Sequence, residues 1–522
     1  MALLAAALIL ASCGHRATPA PSRVMDRALV QTSSGAVRGA FADDHLLFAG
    51  IPYAAPPVGA LRWRAPQPPA SWQGVRDASK YGARCVQDTR SDPDFGRPVS
   101  EDCLTLNVWT PNLPAGQHFP VMVWIHGGAF VNGSGDIYDA RRLVARGIIV
   151  VTLNYRLGAL GFLAHPALGD NGDVGNYGLA DQQAALRWVR DNIANFGGDP
   201  QKVTIAGESA GAMSVCDHLV APGSAGLFRA AIIQSGPCQA QGDRSTGERV
   251  SLDYAAAAGC GDPATAADCL RGLPLAKLGQ PPLYFHLGAD SLTGPISGTA
   301  LLPVNPMSAI AGGNAARVPV LIGTTHDEYT LMAATLFLRN GRMPDYPQEL
   351  ADMFGADSGP IGQQYPVTRY GNSALAYAAV VTDYRFACPA NTMASELTSE
   401  LSSGPARDAH VYSYEFNDRD APAPEPLRTV PFPVGASHSL ELRYLFDIAG
   451  APPLNPAQQK LSDEMIGYWS GFVATGAPRL DGAPEWPAFE GTDGPWMSLQ
   501  TPEVRTFTQF ADDHQCAFWA SR

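Results

Sequence analysis

Along this chain, short apolar runs alternate with longer stretches in which apolar residues recur at helical spacing. Residues 121–125 (VMVWI), 148–153 (IIVVTL), 203–206 (VTIA), 231–234 (AIIQ) and 318–322 (VPVLI) are nearly continuous and rich in β-branched side chains. Runs this short, with no polar alternation, predict strands covered on both faces. Residues 179–196 (LADQQAALRWVRDNIANF) carry apolar positions at helical spacing and stop at Gly197-Gly198. Residues 456–474 predict another long helix, punctuated by Gly476. Strands alternating with helices predict an α/β fold with a central, mostly parallel sheet flanked by helices on both faces. A single large domain over residues 27–522 is expected.

The residues that follow the strands matter more than the strands themselves. In open α/β sheets, ligands bind beyond the carboxyl ends of strands. The first of these runs leads into His126-Gly127-Gly128-Ala129-Phe130, the third into Gly207-Glu208-Ser209-Ala210-Gly211, and the last into Gly323-Thr-Thr-His-Asp-Glu328. Three glycine-rich or polar segments, far apart in the chain, are therefore expected at one edge of one sheet.

Composition narrows the possibilities. With 46% hydrophobic and 16% charged residues, the chain can bury a large core. Its 53 glycines and 44 prolines imply many turns and ordered loops. A net charge of −13 argues against nucleic acid as a partner, because phosphate recognition needs a basic surface. No apolar run reaches membrane-spanning length. Residues 1–12 are mostly apolar and end in Leu10-Ala11-Ser12 before Cys13, the pattern of a lipoprotein signal without its basic start. Cys13 is the expected lipidation point and mature N-terminus, with residues 13–26 as a tether and a simple cleaved export signal as the alternative. Either reading places the protein outside the cytoplasm, in the bacterial cell envelope or secreted. Leaving out Cys13, eight of the nine cysteines remain, an even number that suits disulfides in an exported protein. No metal-ligand spacing occurs, so neither metal nor cofactor is expected.

The chemistry lies in the segments at the sheet edge. Gly207-Glu208-Ser209-Ala210-Gly211 fits G-x-S-x-G, in which a serine on a tight strand-to-helix turn projects its hydroxyl into a cleft. Ser209 is the expected nucleophile. A serine hydroxyl needs a base, commonly a histidine held by a carboxylate. Eleven histidines compete. His438, in the small-residue loop Gly435-Ala-Ser-His-Ser-Leu-Glu441, is best placed to enter a cleft. His126 is read as orienting its own loop, His326 as a bystander, and His410 and His514 as lacking any motif. By chain order the acid falls between serine and histidine. Asp327 and Glu328 both qualify, and chemistry alone does not separate them. Gly128, Ala129 and Ala210 would supply backbone N–H groups to an ester oxygen that gains negative charge during attack. A histidine base of ordinary pKa predicts activity rising between about pH 5 and 8.

Several collinear segments carry a resemblance. They include residues 48–57 (FAGIPYAAPP), Arg62-Trp63, residues 100–109 (SEDCLTLNVW), residues 154–158 (NYRLG), residues 175–182 (GNYGLADQ), residues 196–200 (FGGDP) and residues 234–236 (QSG). Together with the motifs above, they resemble the type-B carboxylesterase/cholinesterase family from about residue 30 to 519. The resemblance implies the α/β-hydrolase fold and a serine esterase acting on a small-molecule ester. It implies Glu328 as the acid and His438 as the base, with Gly128, Ala129 and Ala210 as the oxyanion donors. It also implies the disulfides Cys85–Cys103, Cys260–Cys269 and Cys388–Cys516, and offers no counterpart for Cys216 and Cys238. Tyr329 stands where the family pattern has glycine. Cholinesterases carry a choline-binding tryptophan in the first disulfide loop, and residues 91–95 (SDPDF) have none. The loop at 86–102 is too short and polar for a lipase lid, so soluble short-to-medium acyl or aryl esters are expected. The same triad could serve amides, carbamates or lactones. A non-catalytic binding protein of this fold would typically have lost a triad member, and all three are present.

Overall fold

The computed structural model describes residues 27–42, 44–89, 97–112, 116–169, 173–402 and 409–522. Cys13 and the expected signal and tether lie outside them. Eleven strands form the main sheet: β1 (Ala40–Phe41), β2 (His45–Pro52), β3 (Thr105–Pro111), β4 (Phe119–Ile125), β5 (Ile149–Leu153), β6 (Gly198–Glu208), β7 (Ala230–Gln234), β8 (Val320–Thr325), β9 (Val411–Phe416), β10 (Trp496–Leu499) and β11 (Arg505–Phe507). Their order across the sheet is 11-10-9-8-7-6-4-5-3-2-1. From β5 to β10 every neighbouring pair is parallel, while β1 to β3 and β11 complete the edges antiparallel. This is the mostly parallel sheet expected from the strand–helix alternation, and the α/β-hydrolase architecture that the resemblance implies.

The apolar runs are continuous because both faces are covered. Val121, Val123 and Ile125 of β4 enter one hydrophobic cluster, and Met122 and Trp124 enter the other. The run at 318–322 starts pairing only at Val320, since Pro319 has no N–H to give the ladder. The helical stretch at 179–196 is α1 (Tyr177–Asn192) continued by a 3₁₀ turn, Ile193–Phe196, and it ends at Gly197 with φ +87°. The glycine stop works because a left-handed φ there costs glycine little. Four disulfides close the fold: the three implied pairs, and Cys216–Cys238, which joins the helix α2 (Ala210–Val220) to the segment after β7. Among the described residues, no helix is long and apolar enough to cross a membrane, and no cluster of His, Cys, Asp and Glu is placed to hold a metal ion.

Candidate active site

Because β4, β6 and β8 run parallel, their carboxyl ends meet at one edge of the sheet, as the sequence predicted. Ser209 sits between β6 and α2 with φ +55° and ψ −120°, a conformation that costs a non-glycine residue on the order of 1–3 kcal/mol. The two motif glycines make this turn possible. A methyl group on Gly211 would lie 2.0 Å from the Ile125 carbonyl oxygen, and one on Gly207 would lie 2.5 Å from the Gly211 carbonyl carbon. Neither site has room for a side chain.

The loop after β4 closes the other side of the serine. A methyl built on Gly127 would lie 3.2 Å from Ser209 Cβ, so this backbone passes directly over the nucleophile position. Gly128, Ala129 and Phe130 all have positive φ, and the Gly128 carbonyl accepts from the amides of Val131 and Asn132. That tight turn leaves the N–H groups of Gly128 and Ala129, like that of Ala210 at the head of α2, without backbone partners among the described residues. His126 holds the turn from behind. Its Nδ1 lies 2.8 Å from the Gly127 oxygen, its ring stacks on Tyr155 at 4.4 Å, and burial lowers its pKa to about 4.

Asp327 and Glu328, inseparable by residue type alone, occupy different environments. Glu328 is fully buried; its Oε1 accepts from the Thr325 amide at 2.8 Å, and its Oε2 lies 2.5 Å from His438 Nδ1. Asp327 turns away, accepting from Arg419 at 2.7 Å and from the Ala436 amide at 2.9 Å. Asp327 therefore braces the loop that carries His438, and Glu328 contacts the imidazole. Tyr329, which replaces the family glycine, is buried where Gly288 leaves space, and its hydroxyl accepts from the Ala289 amide at 3.1 Å. The departure is absorbed by local packing and leaves the Glu328–His438 pair intact.

Further groups around His438 were not singled out by the motifs. His438 Nε2 lies 3.2 Å from Glu208 Oε1, which also accepts from the Ser439 hydroxyl at 2.6 Å. Glu441, fully buried, accepts from Gln234 Nε2 at 3.3 Å, and Gln234 in turn accepts from Trp469 at 2.9 Å. Burial alone would depress the His438 pKa, but the charges of Glu208 and Glu328, with Glu441 behind them, outweigh it and raise it to about 9. Burial and the neighbouring Glu208 and Glu328 raise Glu441 to about 8. Glu208 and Glu441 stand inside the serine and histidine segments, so the sequence displayed them. Which way their side chains point is decided by the fold. The imidazole thus stands between two carboxylates, Glu328 at Nδ1 and Glu208 at Nε2.

A cavity of about 650 Å³ opens beside Gly127, Gly128, Glu208 and Ser439. Across it Arg97 pairs with Asp136 at 3.2 Å, and Arg141 pairs with Asp139. Of the loop at 86–102, residues 90–96 lie outside the described residues.

Residues 26–519 match the family model described as "Carboxylesterase family". The chain is 36% identical over 491 residues to a para-nitrobenzyl esterase of Bacillus subtilis (strain 168), covering 89% of this chain and 93% of the relative. It is 34% identical over 497 residues to a fumonisin B1 esterase of Sphingopyxis macrogoltabida, covering 91% and 87%. It is 33% identical over 504 residues to a human cocaine esterase, covering 90% and 86%.

Proposed function

This chain belongs to the carboxylesterase family, and from that premise we propose that it hydrolyses carboxylic esters through an acyl-enzyme formed on Ser209, with His438 as base and Glu328 as the acid that orients it. The observation that carries this reading is the 2.5 Å contact between Glu328 and His438 at the same sheet edge as the strained Ser209 turn. His438 takes the Ser209 hydroxyl proton and later returns one to the leaving alcohol. Glu328 stabilises the imidazolium that forms. The free N–H groups of Gly128, Ala129 and Ala210 stabilise the oxyanion, each typically contributing about 3–4 kcal/mol. Water then attacks the acyl-enzyme by the same route.

The charged side chains Arg97, Asp136, Asp139 and Arg141 in the wall of the cavity beside Gly128 support soluble short-to-medium acyl or aryl esters as substrates. Four disulfides support export, and anchoring through a lipidated Cys13 follows from the signal pattern alone. One experiment tests the catalytic reading. A fluorophosphonate should label the wild type at Ser209 and leave Ser209→Ala unlabelled, and the variant should lose several orders of magnitude of turnover across a panel of soluble esters. A variant that keeps a tenth of the activity overturns the assignment.

A further inference from the structure

A second cavity, of about 640 Å³, lies outside the site described above and beside the Cys388–Cys516 disulfide. Its walls mix polar side chains with an apolar portion supplied by Met307, Tyr384, Ala511 and Trp519. Arg385 also lines it. Among the described residues its guanidinium makes no ion pair and no hydrogen bond, and Nε is buried without a partner. Its one described contact is the face of Tyr384 at 4.5 Å. Burial lowers its pKa, against the opposing influence of Tyr384 and Tyr377. The buried Nε is a donor held out of water with no acceptor, which carries a desolvation cost, and the half-buried side chain stands in the cavity wall. Glu396, Asp493 and Asp512 also line the cavity, the two aspartates exposed, and none lies within ion-pair distance of Arg385.

We propose that this cavity is a second ligand site, which takes an organic carboxylate with a compact apolar body and communicates with the triad. The carboxylate matches the planar fork of Arg385 in two parallel hydrogen bonds. The apolar body fills the walls, and the nearby carboxylates disfavour a dianion such as phosphate more than a monoanion. Two routes of chain neighbours and direct contacts connect the site to the chemistry. Arg385 lies in a π-helical turn, Asp383–Ala387, next to Phe386, whose ring packs edge-on against His438 at 5.4 Å. π-Helical turns of this kind interrupt helices at functional sites more often than elsewhere. Gln239 donates to the Arg385 carbonyl at 2.8 Å and follows Cys238, which is bonded to Cys216 on α2, the helix that Ser209 precedes. A ligand that draws Arg385 into the cavity therefore pulls on both the base and the nucleophile elements.

This proposal goes beyond the ester-hydrolase reading, and its binding arm does not depend on turnover. Sodium benzoate is titrated calorimetrically into the full chain, into Arg385→Gln and into Ala517→Trp, which fills the cavity from an exposed wall position. The wild type should bind, and both variants should bind at least about tenfold more weakly. Inorganic phosphate at matched ionic strength should bind more weakly than benzoate. In the wild type, benzoate should change kcat for a soluble ester at least about twofold at saturating substrate, and Arg385→Gln should abolish that change. Absence of binding, equal binding by the cavity-filled variant, or phosphate binding as tightly as benzoate overturns the site. A benzoate effect that disappears at saturating substrate places the ligand at Ser209 and overturns the coupling.

Discussion

At the residue scale, a one-atom change in a carboxylate separates the roles of two adjacent acids. Glu328→Gln replaces the oxygen that meets His438 Nδ1 with an amide that disfavours the imidazolium, and turnover should fall by about four orders of magnitude. Asp327→Asn loosens the brace to Ala436 and Arg419, and a loss nearer tenfold is expected. Steady-state kinetics on the two purified variants decides the order, and the reverse order would exchange their roles. The pH profile departs from the expectation of an ordinary histidine. The base must be neutral to accept the Ser209 proton, and the surrounding carboxylates favour its protonated form. The acid limb of kcat/KM should therefore lie alkaline of the free imidazole value of 6.5, toward 9. Glu208→Gln removes the anion at Nε2, so the limb should move to lower pH. A limb that stays in place would show that Glu208 does not hold the charge on His438.

At the scale of the element, the strand–turn–helix unit of β6, Ser209 and α2 works only because α2 packs backbone to backbone on β4. A methyl at Gly211 meets the Ile125 carbonyl oxygen at 2.0 Å, and neither partner is a flexible side chain that can move aside. Gly211→Ala should therefore displace the head of α2 and with it the Ala210 N–H. Loss of one oxyanion donor typically costs on the order of 10²–10³ in kcat, and the same scale is expected here. Turnover measured beside circular dichroism checks it, since a folded variant with full kcat would mean that the contact relaxes elsewhere.

For the whole molecule, the buried charges behind the site bear on stability. His514 lies 2.6 Å from both Asp383 and Glu415, deep in the core, and Tyr365 donates to Asp383 at 2.7 Å. Burial lowers the His514 pKa, but the two carboxylates outweigh it and raise it to about 10. A folded-state pKa raised from 6.5 means that the ionised His514 contributes its full stability below that value. The contribution then fades as the pH climbs through about 10. His514→Leu strands two buried carboxylates without their cation and should destabilise the fold by about 3–5 kcal/mol near neutral pH. The gap in urea midpoint between wild type and variant should narrow by pH 10. A constant gap from pH 7 to 10 would mean that His514 is neutral in the native state.

Read alone, the chain was sufficient for the α/β sheet and for the tight turn at Ser209, because strand periodicity and glycine placement act locally. A continuous apolar run such as 121–125 implies two covered faces wherever it sits, and a serine between Gly207 and Gly211 implies a crowded turn. The choice between Asp327 and Glu328 came from the family pattern, since both are carboxylates of similar reach. Only the tertiary structure showed the physical cause: one side chain turns inward to His438 and its neighbour outward to Arg419. His514 had no motif because its partners stand 131 and 99 positions away. Arg385 likewise stands in no motif, and only the folded chain places it in a cavity wall. Pairing of Cys216 with Cys238 and the contact of Glu208 with His438 were equally out of reach. Each depends on where a side chain points after distant segments have packed, and residue spacing does not encode that direction.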